Sequence, residues 1–201
     1  MKNTFNLKLN LKTYNSKIIV CGCDEAGRGC LAGPVFAAAV ILPSNFNNPL
    51  LNDSKKISEK GRDNLRELIE KEAYFWSVSR VNARQIEKIN ILNASIKAMH
   101  LSLNKLNTKV DLIIVDGNKF KNYKNIPHKC IIKGDQKYKS IAAASILAKT
   151  HRDEFMKKIH FKFPNYHWNK NKGYPTKKHK ESINKYGLNK YHRTTFNYKM
   201  N

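Results

Sequence analysis

The chain has 201 residues, of which 38 are Lys or Arg and 15 are Asp or Glu, so its formal net charge is +23. A charge of that size argues against an ordinary small-molecule enzyme and favours a polyanionic partner. The length fits one domain, and a hydrophobic fraction of 41% is enough for a stable core.

Targeting signals and cysteine motifs are missing from the sequence. No apolar run approaches the ~20 residues that span a bilayer, and residues 1–12 lack the apolar core of a secretory signal. The cysteines form no C-x-x-C motif, so we expect reduced thiols in a cytoplasmic protein. They are Cys21, Cys23, Cys30 and Cys130.

The positive charge is concentrated in the C-terminal half. Residues 1–116 carry 17 basic and 11 acidic side chains, whereas residues 117–201 carry 21 and 4. A coding bias toward lysine is an alternative source of the charge, since 31 of the 38 basic residues are Lys. Such a bias does not explain the uneven distribution, which predicts a basic surface in the C-terminal half.

Three strands and two helices are predicted in the first half of the chain. Residues 17–24 and 33–42 have strand character, and the turn between them contains Gly27, Gly29 and Gly33, which predicts an antiparallel hairpin. Ser58 is a candidate N-cap for a helix that ends near residue 72. Residues 74–81 alternate as a third strand, and residues 83–106 are helical with a break near Asn90.

The second half alternates strands with helices. Residues 111–116 are a short apolar run typical of a buried parallel strand. Residues 128–133 form a weaker fifth strand, and helices are predicted over 140–159 and 177–186. This order predicts an α/β fold with a mixed five-stranded sheet flanked by helices, whose chemistry lies at the carboxyl ends of the parallel strands.

Acidic residues follow two of the predicted apolar strands. Asp24 ends the first strand, Glu25 comes next, and Asp116 ends the fourth. Pairing with Lys or Arg is one explanation, but carboxylates on neighbouring strand ends more naturally converge on a divalent cation. Oxygen ligands without adjacent His or Cys favour Mg²⁺ or Mn²⁺ over zinc. Because adjacent strand residues point to opposite faces, we expect Asp24 and Glu25 to share a site only if the strand ends at Asp24.

A fourth acidic ligand has two candidates. Asp153 lies four residues from both Lys149 and Lys157 on a predicted helix, so an ion pair on the helix surface accounts for it. Asp135 lies in a loop ahead of that helix, where capping is the alternative role. Asp135 is the better candidate for a ligand.

Several motifs around these carboxylates follow one another between residues 18 and 196. They are DEAGRGCLAGPV at 24–35, DSKK at 53–56, VDG at 115–117, KGD at 133–135 with SIAAASILAK at 140–149, and GYPT at 173–176 with His179. Together they closely resemble the type 2 ribonuclease H family, in particular bacterial ribonuclease HII. The sister family, ribonuclease HIII, is the alternative. It usually has an extra N-terminal domain and a different ribose-reading turn, whereas here about 16 residues precede the first strand.

The resemblance implies an RNase H-like fold and a nuclease activity. The fold would comprise an N-terminal extension (1–16), a catalytic domain (17–160) and a small helical, basic C-terminal extension (161–201) that binds substrate. The activity would be hydrolysis of the RNA strand of RNA/DNA hybrids and incision 5′ of single ribonucleotides in duplex DNA. Two metal ions, Mg²⁺ or Mn²⁺, would act in the cleavage, which leaves 3′-hydroxyl and 5′-phosphate ends.

The resemblance also implies roles for individual residues. The metal-binding acids would be Asp24, Glu25, Asp116 and Asp135. The turn Gly27-Arg28-Gly29 would read the ribose and Tyr174 would pack on its sugar. Further substrate contacts would come from Lys55, Lys56, Ser145, Lys149, His192 and Arg193, and Lys170, Lys172, Lys177 and Lys178 are additional phosphate-binding candidates. Each lysine taken alone is as readily explained as a solvated surface residue.

Two departures from the family pattern are small. Thr195 stands where Ser is usual, and Gly134 stands where Ala is often found. The resemblance implies a monomer acting on RNA/DNA hybrids and ribonucleotide-containing DNA, and the C-terminus has no clear sliding-clamp motif. A non-catalytic basic RNA-binding protein is the rival hypothesis, but it gives no reason for acids at strand ends.

Overall fold

The computed structural model describes residues 11–51 and 57–198. Five strands form one sheet: β1 (Val20–Ala26), β2 (Val35–Ile41), β3 (Phe75–Val81), β4 (Leu112–Asp116) and β5 (His128–Ile131). Their order across the sheet is β3-β2-β1-β4-β5. β2 is antiparallel to both β1 and β3, while β4 is parallel to both β1 and β5. The predicted hairpin and the predicted mixed five-stranded sheet are therefore confirmed.

Helices cover the sheet and form the C-terminal region. They are α1 (Glu59–Glu72), α2 (Ala83–Leu106), α3 (Lys139–Lys162), α4 (Trp168–Asn171) and α5 (Lys177–Tyr186), with 3₁₀ turns at Gly134–Gln136 and Pro164–Tyr166. Ser58 caps α1 by accepting a hydrogen bond from the Gly61 N–H, and Asn90 interrupts α2 with a positive φ of 61°. Both features were predicted. The short α4 and the 3₁₀ turns were not, because segments of three or four residues carry no periodicity.

The two faces of the sheet bury separate apolar layers. Cys21, Cys23 and Val115 pack with α2 on one face, and α1 and α3 cover the other. Gly22 points to the α3 side, where an added Cβ would lie 2.3 Å from the carbonyl carbon of Ser140. A glycine at this position therefore lets the first turn of α3 press directly on β1.

The C-terminal region packs on the turn that follows β1. Trp168 and Ile183 lie in one apolar cluster with Leu31, Ala32 and residues of α3. The backbone N–H of Leu31 donates to the Gly173 oxygen at 2.8 Å. These contacts place the C-terminal region beside the carboxyl end of β1. None of the helices in residues 11–51 and 57–198 combines the length and the apolar character needed to cross a bilayer.

Candidate active site

An open cleft of about 330 Å³ lies where β1 and β4 end. It is the edge at which the carboxyl ends of the two parallel strands meet, as the sequence predicts. Nine of the predicted site residues line it, together with Ala26: Asp24, Glu25, Gly27, Arg28, Gly29, Asp116, Ser145, Lys149 and Tyr174.

Asp24 and Asp116 lie side by side on one face of the sheet. The paired register of β1 and β4 ends with Cys23 opposite Val115, and each aspartate is the next residue on its strand. Cys23 and Val115 both pack on the α2 side, so the aspartates point to the opposite face, toward α3. Asp24 Oδ1 accepts a hydrogen bond from the Glu25 N–H at 2.6 Å. The adjacent side chains form the acidic centre of the cleft.

Glu25 lines the same cleft as Asp24, but the strand geometry that allows this differs from the prediction. The expectation that a shared site requires β1 to end at Asp24 is wrong, because β1 continues to Ala26 and Glu25 pairs with Ala37 of β2. The pairing of β1 with β4 stops at Cys23. Glu25 therefore lies beyond the last residue of β1 that is paired with β4. Its carboxylate accepts from Arg28 Nη1 at 3.2 Å and lines the rim of the cleft.

The electrostatics of the cleft disfavour a charged Asp24 in the metal-free protein. Burial raises the pKa of the Asp24 carboxyl well above its ordinary value, and the negative charges of Glu25 and Asp116 raise it further. Hydrogen bonds from the Ser145 side chain and the Glu25 backbone lower this pKa in part. A carboxyl in this position is stabilised as an anion by a cation that enters the cleft.

Asp135 lies next to this centre but does not line the cleft. It belongs to the 3₁₀ turn Gly134–Gln136 and is 5% exposed. The turn is tied to the acidic centre, because the Gly134 N–H donates to Asp116 Oδ1 at 2.7 Å. Within the part of the chain that the structure describes, no three His, Cys, Asp or Glu side chains already stand together as a metal site.

The donors nevertheless fit a hard divalent cation. Asp24, Asp116 and Glu25 offer carboxylate oxygens to a single cleft, and the raised pKa of Asp24 reflects burial and negative neighbours. Mg²⁺ keeps several waters and is commonly held by one or two carboxylates together with substrate phosphates. A full cage of protein ligands is therefore not required for binding.

The glycine turn and Tyr174 form a wall of the same cleft. Gly27 has a φ of +95°, in the left-handed region that favours glycine, and an added Cβ would lie 2.0 Å from Nε of Arg152. The Tyr174 side chain remains 38% exposed. Its ring centroid lies 5.4 Å from Lys149 Nζ and 5.7 Å from Arg152 Cζ. The wall thus presents an aromatic face with cations beside it.

Lys149 enters the cleft from α3. Its ammonium donates to Asp153 Oδ1 at 2.7 Å, four residues along the helix. Burial lowers the pKa of Lys149, whereas the charge of Asp153 raises it. Asp153 therefore pairs with Lys149, as the sequence favoured, and it is not a residue that lines the cleft.

His192 and Arg193 are placed inside the protein. They are 3% and 1% exposed. His192 Nε2 lies 3.3 Å from Nε2 of the buried His179, and Arg193 donates to backbone carbonyls of the turn that follows β1. Neither side chain lines the cleft, so the expectation of direct substrate contact does not match their position.

Comparisons with known proteins identify the family. A sequence model of ribonuclease HII matches residues 21–199. The ribonuclease HII of Christiangramia forsetii is 64% identical over 186 residues, covering 92% of this chain and 94% of that protein. The chain belongs to the ribonuclease HII family. It is therefore a ribonuclease H-type nuclease, a hydrolase.

Solved structures share the fold of this ribonuclease HII. The ribonuclease H2 of Pyrococcus horikoshii superposes with a TM-score of 0.73 and 25% identity, covering 89% of this chain and 94% of that chain. Bst-RNase HIII, solved in complex with Mn²⁺, superposes with a TM-score of 0.75 and 17% identity, covering 96% of this chain and 70% of that chain. The five-stranded architecture is thus that of the type 2 ribonucleases H.

The predicted phosphate-binding lysines of this ribonuclease HII differ in placement. Lys55 and Lys56 lie outside the described residues. Among the C-terminal candidates, Lys172 is buried and donates to the Asn169 oxygen. The other three are exposed: Lys170, Lys177 and Lys178.

Two buried residues behind the glycine turn were not predicted from the sequence as parts of the site. Arg152 and Cys30 are both 0% exposed, and the Cys30 thiol interacts with the Tyr174 side chain. The burial of Arg152 could have been predicted from its position. It lies four residues from both Ala148 and Met156, on a stripe of buried residues of α3. A charged residue at helical spacing within an apolar stripe indicates a buried hydrogen-bonding role.

A second cleft, of about 430 Å³, lies between α1 and α3. It is rich in charges, and four of the six carboxylates that line it, those of Glu59, Glu70, Asp153 and Glu154, form ion pairs. Arg66 bonds both Glu70 and Glu154 at 2.7 and 2.9 Å, and Lys157 bonds Glu59 at 2.7 Å. Ion pairs of this kind satisfy their own charges, so this cleft is a helix-packing feature of the ribonuclease HII fold.

Proposed function

We propose that this ribonuclease HII hydrolyses the RNA strand of RNA/DNA hybrids and incises duplex DNA on the 5′ side of a single embedded ribonucleotide. The products would carry 3′-hydroxyl and 5′-phosphate ends. One observation carries the proposal: Asp24 lies beside Asp116 near the ends of parallel strands, in a cleft that the glycine turn and Tyr174 also line.

The acids are proposed to hold two divalent cations, Mg²⁺ or Mn²⁺. Asp24 and Asp116 would provide the central oxygens, Glu25 would contribute from the rim, and Asp135 would contribute from the adjoining turn. When bound, such a pair of cations stabilises charge on the attacking and leaving oxygens of an in-line displacement. The Mn²⁺ complex of Bst-RNase HIII supports this choice of metal by analogy of fold.

The Asp24 carboxyl is held in place for cation binding before substrate is present. Because the pKa of Asp24 is raised by burial and by its acidic neighbours, part of the binding energy of a cation is used to keep this group ionised. The Glu25 N–H and the Ser145 side chain hold the Asp24 carboxyl by hydrogen bonds. These contacts fix the orientation of the carboxyl group.

Recognition of the ribose is assigned to the wall formed by the glycine turn and Tyr174. Only a turn without side chains at Gly27 and Gly29 lets the backbone approach a sugar closely. The exposed ring of Tyr174 offers a flat apolar surface to the sugar itself. The 2′-hydroxyl is the group that separates RNA from DNA at such a site.

Binding of the phosphate backbone is assigned to cations around the cleft. Lys149 lines the cleft, and the exposed Lys170, Lys177 and Lys178 lie in the C-terminal region. Lysine contacts to phosphates position a duplex without reading its sequence. This suits an enzyme that acts wherever a ribonucleotide occurs. Because His192 and Arg193 are buried, we assign them to positioning and not to direct contact.

A duplex with one embedded ribonucleotide tests the proposal. Wild-type protein should cut it with Mg²⁺ or Mn²⁺ and should leave the matching all-DNA duplex intact. In EDTA it should cut neither duplex. Asp116→Asn should abolish cutting while the duplex still binds. Asp111→Asn, at the opposite end of β4, is the matched control and should retain activity.

Two outcomes contradict parts of this assignment. Binding without cutting under either metal contradicts the proposed metal-dependent cleavage. Cutting of long hybrids alone, with the single ribonucleotide ignored, contradicts incision at embedded ribonucleotides.

A further inference from the structure

Arg193 binds the inner side of the glycine turn. Its guanidinium donates to the Gly27 oxygen at 2.7 Å, to the Arg28 oxygen at 2.8 Å, and twice to the Gly33 oxygen at 2.8 and 3.0 Å. All three acceptors are backbone carbonyls. The side chain is 1% exposed, so these bonds are shielded from water.

The direction of these carbonyls determines where the turn's N–H groups point. The described residues contain no cis peptide bond, and in a trans peptide the N–H points away from the C=O. The carbonyls of Gly27 and Arg28 point inward, so the N–H groups of Arg28 and Gly29 point outward. Neither N–H meets an acceptor in residues 11–51 and 57–198. Two adjacent N–H donors therefore point away from the interior, and both belong to residues that line the cleft.

Arg152 holds the same turn from α3. It donates to the Ala32 and Pro34 oxygens, both at 3.1 Å, and to the Lys172 oxygen at 2.8 Å. It therefore joins the segment after the turn to the segment that precedes Tyr174. Its side chain also fills the space that a Cβ at Gly27 would need.

An arginine is required at both positions on chemical grounds. The planar guanidinium presents several donors in a fixed fork, whereas a lysine ammonium is a compact charge on a flexible stem. Burial lowers the pKa of Arg193 to about 10, so the group remains charged at neutral pH. Charge-assisted bonds to carbonyls are stronger than neutral ones, which suits a part that must not move.

We propose that Arg193 and Arg152 are positioning residues for ribose recognition: they hold the glycine turn so that the N–H groups of Arg28 and Gly29 form a ready-made donor pair for the ribose 2′-hydroxyl oxygen. This inference rests on the proposed function. It adds that selectivity for ribose is built by two buried side chains that never touch the substrate.

The test measures binding selectivity in EDTA, where no cutting occurs. The quantity is the Kd for an all-DNA duplex divided by the Kd for the same duplex with one ribonucleotide, at a temperature well below each variant's Tm. Arg193→Lys and Arg152→Lys should each reduce this ratio about tenfold, or about 1.4 kcal/mol, with the all-DNA Kd unchanged. Arg66→Lys loses bonds to Glu70 and Glu154 far from the turn, so it should lower Tm and keep the ratio.

A ratio that stays at the wild-type value in folded Arg193→Lys overturns the inference, even if its Tm falls. Should that variant not fold, the wild type provides the test by NMR. The amide resonances of Arg28 and Gly29 should shift with the ribonucleotide duplex and not with all-DNA, and equal responses to both overturn the inference. If wild type itself shows no selectivity, the proposed ribose recognition fails, and this inference fails with it.

Discussion

Lys149 and Asp153 form a buried ion pair one helical turn apart on α3, with Nζ and Oδ1 at 2.7 Å and side chains that are 17% and 8% exposed. Asp153 raises the pKa of a lysine that burial otherwise lowers. The pair therefore keeps a partly desolvated ammonium charged at the wall of the cleft. Its geometry links Asp153, which lies outside the cleft, to the phosphate contact proposed for Lys149 within it.

Asp153→Asn tests this link. Without the carboxylate the pKa of Lys149 should fall further, so a smaller fraction of the ammonium is charged at alkaline pH. We expect kcat/KM on the single-ribonucleotide duplex to drop about tenfold and its alkaline limb to move to lower pH. A pH profile of kcat/KM checks both.

Glu154→Gln is the matched control for that variant. Glu154 is the next residue on α3, but it bonds Arg66 and Lys158 and does not line the cleft. Its substitution should leave the pH profile unchanged. An identical alkaline shift in both variants would show that helix charge, and not the pairing with Lys149, sets the profile.

Asp24→Asn should give an inactive protein that is more stable than wild type without metal. The folded pKa of Asp24 is raised, so the unfolding free energy of the wild type falls as pH rises above this group's ordinary pKa. A neutral Asn avoids that cost and can still accept the Glu25 N–H. We expect Tm at pH 7 in EDTA to rise by about 2–4 °C, on the order of 1 kcal/mol.

Two further measurements sharpen the Asp24 prediction. Asp63→Asn on the exposed side of α1 should leave Tm unchanged within about a degree, since surface changes are small. Mg²⁺ should raise the Tm of wild type more than that of Asp24→Asn. A lower Tm for Asp24→Asn than for the wild type in EDTA would contradict the prediction, because it would mean that the charge of the wild-type Asp24 carboxylate is compensated in the metal-free fold.

His192 predicts a pH dependence of stability. Burial and the nearby His179 lower its pKa to about 4, whereas the unfolded chain titrates near its ordinary value of 6.5. Between these values the unfolded state binds more protons, so the unfolding free energy rises with pH and is fully gained above about 6.5. His192→Asn should reduce that slope by up to ~1.4 kcal/mol per pH unit.

Urea unfolding at several pH values measures this slope. His167→Asn is the control, because His167 is exposed and its φ of 54° suits asparagine. Its slope should match the wild type. Equal slopes for wild type and His192→Asn would show that His192 titrates normally in the fold.

Two glycines on β1 and its turn should respond oppositely to alanine. At Gly29 an added Cβ meets nothing within 4 Å, whereas at Gly22 it would lie 2.3 Å from the backbone of α3. Gly29→Ala should fold with a stability change within about 0.5 kcal/mol but lose selectivity for the ribonucleotide. Gly22→Ala should lose several degrees of Tm. Urea denaturation with the Kd ratio checks both, and full selectivity in Gly29→Ala would contradict a close approach at that residue.

Much of the fold was accessible from the sequence because its signals are local. Hydrophobic periodicity and the Ser58 cap located β1 to β5, α1, α2, α3 and α5 within a few residues. The chemistry of the acids was also local, since Asp116 ends β4 and Asp24 lies two residues before the end of β1. What periodicity does not contain is the pairing register, and this is why the end of β1 was misjudged.

The hydrogen bonds of the buried Arg193 to the glycine turn could not be predicted from local sequence patterns. Arg193 and Gly27 are far apart in sequence, and their 2.7 Å hydrogen bond exists only once the C-terminal region has folded back on the sheet. A basic residue in a basic tail looks like a phosphate contact until its burial is known. Tertiary packing thus determines which cations line the cleft and which are buried behind the turn.

The most direct test of the account is to map the cut on a duplex with one ribonucleotide in a single-turnover reaction. The account predicts one incision on the 5′ side of the ribonucleotide, with 3′-hydroxyl and 5′-phosphate ends, present in wild type and absent in Asp24→Asn. A cut on the 3′ side, ends of the opposite kind, or equal cutting by Asp24→Asn would contradict it.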